Sequence, residues 1–258
     1  MNKYRFVWHD LSTKDLEGSK AFYGEIFNWK FDSSGNGPYT HIKAGDEMIG
    51  GIRQMDAKEP QPPSWLGYIG VDDVAATVSS ITSAGGKVFM PTTTLENVGT
   101  FAVTADPTGA AFAPWKSARA GEDVEPTGMP KPFTFCWDEL VSTDPAEAGL
   151  FYQKVFDWQP RAMDMGGGMT YTLLDRPGVK NAKGDQGSAG GMMKSPDGVP
   201  FSFWLAYVGV DDCDKLSERA ARLGAKITMP PTDIPNVGRF SCWLDPQQVG
   251  IAILQPRM

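Results

Sequence analysis

The chain has 258 residues, with 24 Lys and Arg against 31 Asp and Glu, a net charge of -7. An acidic chain without a Lys/Arg cluster lacks the basic surface that nucleic acid or an anionic membrane demands, and no apolar run approaches a membrane span of roughly 20 residues. The length suits two domains, each able to bury a core, and three scattered cysteines, Cys136, Cys213 and Cys242, lack the paired spacing of a zinc site or a disulfide framework.

The opening MNKYRFVWHDL has no basic segment leading into an apolar stretch and cleavage site, so a cytoplasmic protein is expected. A β-rich stretch around Trp8 is followed by Asp15, placed to accept hydrogen bonds from the free N–H groups of a helix start. Leu16, Phe22 and Ile26 then form one apolar helical stripe. His41 lies in YTHIKAG, and Gly50-Gly51 marks a bulge or a close backbone approach. A second β-rich stretch, WLGYIGVDD from Trp65, leads through Asp72 into a helix ending at Gly85-Gly86, where a left-handed cap is expected. The alternating run from Thr100 to Phe112 predicts strands around a turn.

The same order then recurs. WHDLSTKDLEGSKAFYGEIFNW from Trp8 matches WDELVSTDPAEAGLFYQKVFDW from Trp137, and WLGYIGVDD from Trp65 matches WLAYVGVDD from Trp204. GGKVFMP, NVG and Asp106-Pro107 are answered by GAKITMP, NVG at Asn236 and Asp245-Pro246. Such self-similarity decides architecture more firmly than local propensity. Two domains are expected, 1–117 and 131–258, joined by a Gly-, Pro- and charge-rich linker at 118–130. A weaker repeat sits inside each: Trp8, Trp65, Trp137 and Trp204 each stand seven residues before an aspartate, Asp15, Asp72, Asp144 or Asp211. In the third instance Pro145 and Glu147 predict a capping box. Four units of strand, helix and about three strands follow.

Paired βαβββ units, the strand–Asp–helix–FYxxxFxW opening and the NVGxF…DP…G ending resemble the vicinal oxygen chelate superfamily of glyoxalases, bleomycin-resistance proteins and extradiol dioxygenases. The resemblance covers nearly all of the chain except the linker. It implies an α+β fold of two tandem domains, each a pair of βαβββ units forming a cupped, barrel-like mixed sheet around a cleft. In metal-dependent relatives the ligands come from the first strand of each unit and from a glutamate on the last strand. Here those positions are assigned to Trp8, Trp65, Trp137 and Trp204, to Ala113, and, allowing one extra residue after Asp245-Pro246, to Ile253. Indole and alkyl groups offer no lone pair suited to a divalent metal, so neither a metal nor another cofactor is expected.

Strand alternation puts Asp10 on the face of Trp8, and Glu139 on that of Trp137. These carboxylates are candidate acids, bases or ligand acceptors in an aromatic pocket; the alternative is a solvated carboxylate at a strand end. The four tryptophans are either cleft walls for a flat or apolar ligand or repeated core, with Trp115 as a further wall candidate. His9 should face away from Trp8. His41, matched by Leu173, is a candidate proton-transfer residue or simply a structural histidine. The Gly-rich stretch from Met165 to Met193 has no phosphate-loop spacing, and reads as an extended hairpin with a long loop.

The functional expectation is a small-molecule binder, monomeric rather than homodimeric, without nucleic-acid or membrane partners. The alternative is a lyase- or dioxygenase-type enzyme using Asp10, Glu139 and His41, with or without a non-standard metal centre.

Overall fold

The computed structural model describes residues 4–33, 39–119, 131–164, 170–181 and 184–257. Four βαβββ modules follow one another. The first comprises β1 (Phe6–Thr13), α1 (Leu16–Phe27), β2 (Lys30–Asp32), β3 (Tyr39–Ala44) and β4 (Glu47–Gln54). The second has β5 (Ser64–Gly70), α2 (Val74–Ser83), β6 (Lys87–Leu95), β7 (Gly99–Ala105) and β8 (Ala111–Ser117). In the third are β9 (Phe135–Ser142), α3 (Pro145–Phe156), β10 (Gln159–Asp164), β11 (Thr170–Lys180) and β12 (Gln186–Lys194). The fourth has β13 (Phe203–Gly209), α4 (Cys213–Arg222), β14 (Lys226–Ile234), β15 (Gly238–Leu244) and β16 (Gly250–Pro256). The fold is α+β, with two eight-stranded mixed sheets in the order β2-β3-β4-β1-β5-β8-β7-β6 and β10-β11-β12-β9-β13-β16-β15-β14. In each module the first strand pairs parallel with the last, and the remaining pairs are antiparallel. Of the linker, only 118 and 119 are among the described residues.

The helix termini obey the chemistry of their sequences, with two corrections. Asp15 and Asp144 cap α1 and α3 by accepting from the N–H groups of Gly18 and Glu147. The capping box expected at Glu147 is not closed, because the Asp144 N–H donates to Ser142 Oγ at 3.2 Å instead. The caps of α2 and α4 are Asp73 and Asp212, one residue beyond Asp72 and Asp211. Past α2 and α4, Gly85 (φ +90°) and Gly224 (φ +94°) adopt the left-handed conformation. The N–H groups of Gly86 and Ala225 then close back on Ile81 and Ala220, which satisfies carbonyls the helix leaves open.

The contacts divide the chain into two compact units that cut across the sequence repeat. One consists of Met1–Val7, Gly67–Met129 and Trp137–Trp204; the other of Trp8–Leu66, Pro130–Cys136 and Leu205–Met258. They are called here the inner unit (modules two and three) and the outer unit (modules one and four). The outer core joins Leu11, Phe22, Tyr23, Phe27 and Ile52 of module one to Val208, Trp243 and Ile251 of module four. In the inner core, Ile69, Ile81 and Phe112 of module two meet Phe151, Tyr152 and Trp158 of module three. Each such large side chain contributes roughly 1.5–3 kcal/mol by leaving water. The repeated FY pair of each opening helix thus anchors one core: Tyr23 stacks on Phe27 in the outer unit, and Tyr152 on Trp158 in the inner one.

Candidate functional site

In the outer unit the strand register assembles a compact group. Asp10 on β1 lies opposite Gly51 on β4, and Gly51 opposite His41 on β3. Leu11, Ile42 and Ile52 enter the core, so alternation turns Trp8, Asp10, Tyr39, His41 and Gly51 to the opposite sheet face. The Trp8 indole N–H lies 2.9 Å from Asp10 Oδ1 and 3.0 Å from the Tyr39 hydroxyl. Tyr39 in turn donates to the same Oδ1 at 2.6 Å. The His41 ring stands edge-on to both aromatics, at centroid distances of 6.2 Å from Trp8 and 5.3 Å from Tyr39. Gly51 is what lets Tyr39 lie there: a Cβ at Gly51 would come 1.9 Å from the Tyr39 hydroxyl. All four side chains are half-buried.

The inner unit builds the equivalent group from module three. Glu139 lies opposite Gly191, and Gly191 opposite Leu173. The Trp137 indole donates to the Tyr171 hydroxyl at 3.0 Å, and Tyr171 also hydrogen-bonds Glu139. Burial first, and the Glu139 charge second, push the Tyr171 phenol far above its ordinary value, so it remains a neutral donor throughout the physiological range. A Cβ at Gly191 would again fall 1.9 Å from the phenol oxygen. Both groups therefore consist of a tryptophan, a carboxylate two residues on, a tyrosine and an obligatory glycine.

Other expected positions lie elsewhere. Trp65 and Trp204 are 8% exposed and belong to the cores. Their indoles donate to Tyr23 at 3.2 Å and Tyr152 at 2.8 Å, which in turn donate to the buried Asp245 and Asp106. They are thus not the counterparts of Trp8 and Trp137. The true helix caps stand one residue later than Asp72 and Asp211, and in a strand a shift of one residue reverses the face. Trp115 packs with Tyr68 and Phe101 at 6.0 and 6.5 Å in a separate aromatic group of the inner unit. His9 is buried and stacks on Phe135 at 4.0 Å, away from Trp8. The segment MGGGM at 165–169 lies outside the described residues, and Met192 is core.

The register also corrects the last-strand comparison. Tyr68 pairs with Ala113 and Tyr207 with Ala252, so Ala252, not Ile253, is the second counterpart. The turns are equal in length: the Asp106 N–H bonds the Ala110 carbonyl, and the Asp245 N–H bonds Val249. Ile253 is core. Trp8, Trp137, Ala113 and Ala252 supply no metal donor, and neither do Leu66 and Leu205, which stand seven residues before the caps Asp73 and Asp212; among the described residues no three His, Cys, Asp or Glu side chains are grouped to hold an ion. The residues do not fit a divalent metal at the positions the resemblance assigns to it.

Two participants were legible but unread: Tyr39-Thr40 and Tyr171-Thr172 recur in register just before His41 and Leu173. The Trp–Tyr–Asp core networks likewise join three repeated motifs that lie far apart in sequence.

The chain is 34% identical over 256 residues to "Putative glyoxylase CFP32" of Mycobacterium tuberculosis, covering 96% of this chain and 94% of that protein. It is 29% identical over 267 residues to the anthracycline biosynthesis protein DnrV of Streptomyces peucetius, with 97% and 93% covered. Among solved structures, the Mn(II)-bound glyoxalase from Novosphingobium aromaticivorans superposes with a TM-score of 0.62 at 17% identity, covering 98% of this chain and 82% of that one. The 2,3-dioxygenase LapB from Pseudomonas sp. KL28 gives 0.62 at 14% identity, with 98% and 92% covered; at such identities the likeness is one of fold. The model of the Glyoxalase/Bleomycin resistance protein/Dioxygenase superfamily matches residues 5–113 and 136–253, and the chain belongs to that superfamily.

Proposed function

We propose that this protein binds a small, flat aromatic or apolar molecule at each of the two Trp–carboxylate–Tyr groups, without the divalent metal of its metal-dependent relatives. The observation that carries this reading is the duplication of the group. Each unit presents a half-buried tryptophan whose N–H is held in a hydrogen-bonded set, on the sheet face turned from its core. An indole fixed in this way offers a rigid apolar wall at little entropic cost, and the adjoining carboxylate orients a polar group of the ligand. The name of DnrV, at 29% identity, supports a flat ligand class, since anthracyclines are fused-ring aromatics. The Trp115 group supplies a further aromatic surface in the inner unit. Among the described residues no helix is long and apolar enough to cross a membrane, and the acidic net charge supports a small-molecule partner over nucleic acid. A monomer in the cytoplasm is the expected working form.

Calorimetric titration with 6-methyl-2-naphthol as probe tests this. The wild type should take up two molecules per chain, in the presence of EDTA as in its absence. Trp8→Ala and Trp137→Ala should each remove one site while leaving a cooperative unfolding transition. Unchanged stoichiometry in both variants would show that the walls lie elsewhere. Loss of ~3–5 kcal/mol of stability, the cost of a large core truncation, would return these tryptophans to a structural role.

A second reading rests on the short Tyr39–Asp10 contact beside His41. A phenol, a carboxylate and an imidazole on one face can transfer protons, and turnover abolished by both Asp10→Asn and His41→Leu would support an enzyme.

A further inference from the structure

The two groups share a backbone frame but not a chemistry. Across β1, β4, β3 and β2 the outer row is Asp10, Gly51, His41, Asp32. The inner row, across β9, β12, β11 and β10, is Glu139, Gly191, Leu173, Arg161. Both rows begin with a carboxylate, and the charged groups at their β2 and β10 ends are neutralised within each unit, Asp32 by Lys43 at 2.6 Å and Arg161 by Asp175 at 2.5 Å. What distinguishes the rows is therefore His41 against Leu173. Strands stand about 4.8 Å apart, so the carboxylate position and the His41 position are separated by roughly 10 Å of backbone with a glycine between them. In the outer unit this strip is polar at both ends and aromatic in the middle, where Tyr39 lies over Gly51. Imidazole can donate or accept there. In the inner unit the far end is an isobutyl group.

We propose that the two sites are specialised for different ligands. The outer site takes a flat aromatic carrying a hydrogen-bonding group at each end, and the inner site one with a single polar end and an apolar opposite end. His41 and Leu173 are the specificity-determining residues. This rests on the binding reading above.

The test compares two probes of the same size, 2,6-dihydroxynaphthalene and 6-methyl-2-naphthol, by calorimetry on the wild type, His41→Leu and Leu173→His. Each substitution installs the residue found at the equivalent register position of the other unit. One added hydrogen bond should favour the diol about tenfold at a site containing histidine. The number of sites per chain that prefer the diol should be one in the wild type, none in His41→Leu and two in Leu173→His. The same number in all three proteins, with 6-methyl-2-naphthol still bound twice, would overturn the specialisation and leave the binding reading standing. Failure of both probes to bind the wild type would overturn both.

Discussion

At Gly50 and Gly51 neighbouring residues of one type do different work. A Cβ on Gly50 would stand 2.4 Å from the His9 carbonyl oxygen, which is backbone and cannot move away cheaply. On Gly51 it would meet the Tyr39 hydroxyl, the end of a side chain that can rotate out. Gly50→Ala should therefore cost about 1–3 kcal/mol, as overpacking does. Gly51→Ala should cost less and instead abolish binding at the outer site. Urea unfolding combined with probe titration separates the two effects, and equal stability losses without loss of binding would refute the distinction. The glycine pairs were legible as close approaches; the tyrosine above each second glycine recurs in register as well, but its place over that glycine depends on a neighbouring strand rather than on local pattern.

The buried carboxylates give a pH dependence of definite sign. Burial raises the pKa of Asp106 and Asp245 above their ordinary values, against hydrogen bonds from turn N–H groups and from Tyr152 or Tyr23. The folded state then holds its protons more tightly than the unfolded chain. The stabilising contribution is complete below the unfolded value of about 3.9 and is lost as pH rises through the raised folded value. The stability of wild type relative to Asp106→Asn/Asp245→Asn should accordingly decline from about pH 4 upward. A difference that grows with pH would mean that the carboxylates are held charged.

At the scale of elements, the helix starts show where sequence reading succeeds and where it slips. Asp15 and Asp144 are each the lone aspartate at their helix start, and both cap as expected. In VDD the two aspartates are equivalent by composition, and only the strand preceding them decides which one reaches the helix. Asp73 accepts from the Ala76 N–H at 2.9 Å, so Asp73→Ala should cost ~1 kcal/mol and Asp72→Ala distinctly less in thermal denaturation. That single residue also reverses the face of Trp65, which is why a core tryptophan resembled a cleft wall in the one-dimensional alignment.

For the whole molecule, the repeat along the chain was plain in the sequence, whereas the composition of the cores was not. An amphipathic helix shows which face it buries but not which segment will cover it. In the outer unit Phe22, Tyr23 and Phe27 of the first copy are covered by Val208, Trp243 and Ile251 of the second. Residues 1–117 produced alone should therefore expose this apolar surface and self-associate or unfold. A monomeric, cooperatively folding fragment in sedimentation and urea unfolding would show that the cores are not interdependent.

The metal content of the purified chain is the most direct test of the proposed site, in which tryptophan, carboxylate and tyrosine stand in place of metal ligands. After dialysis against EDTA, elemental analysis should find well under one equivalent of Zn, Ni, Fe or Mn per chain, with the naphthol sites still filling. One equivalent retained through dialysis, with binding lost when the metal is finally stripped, would contradict it.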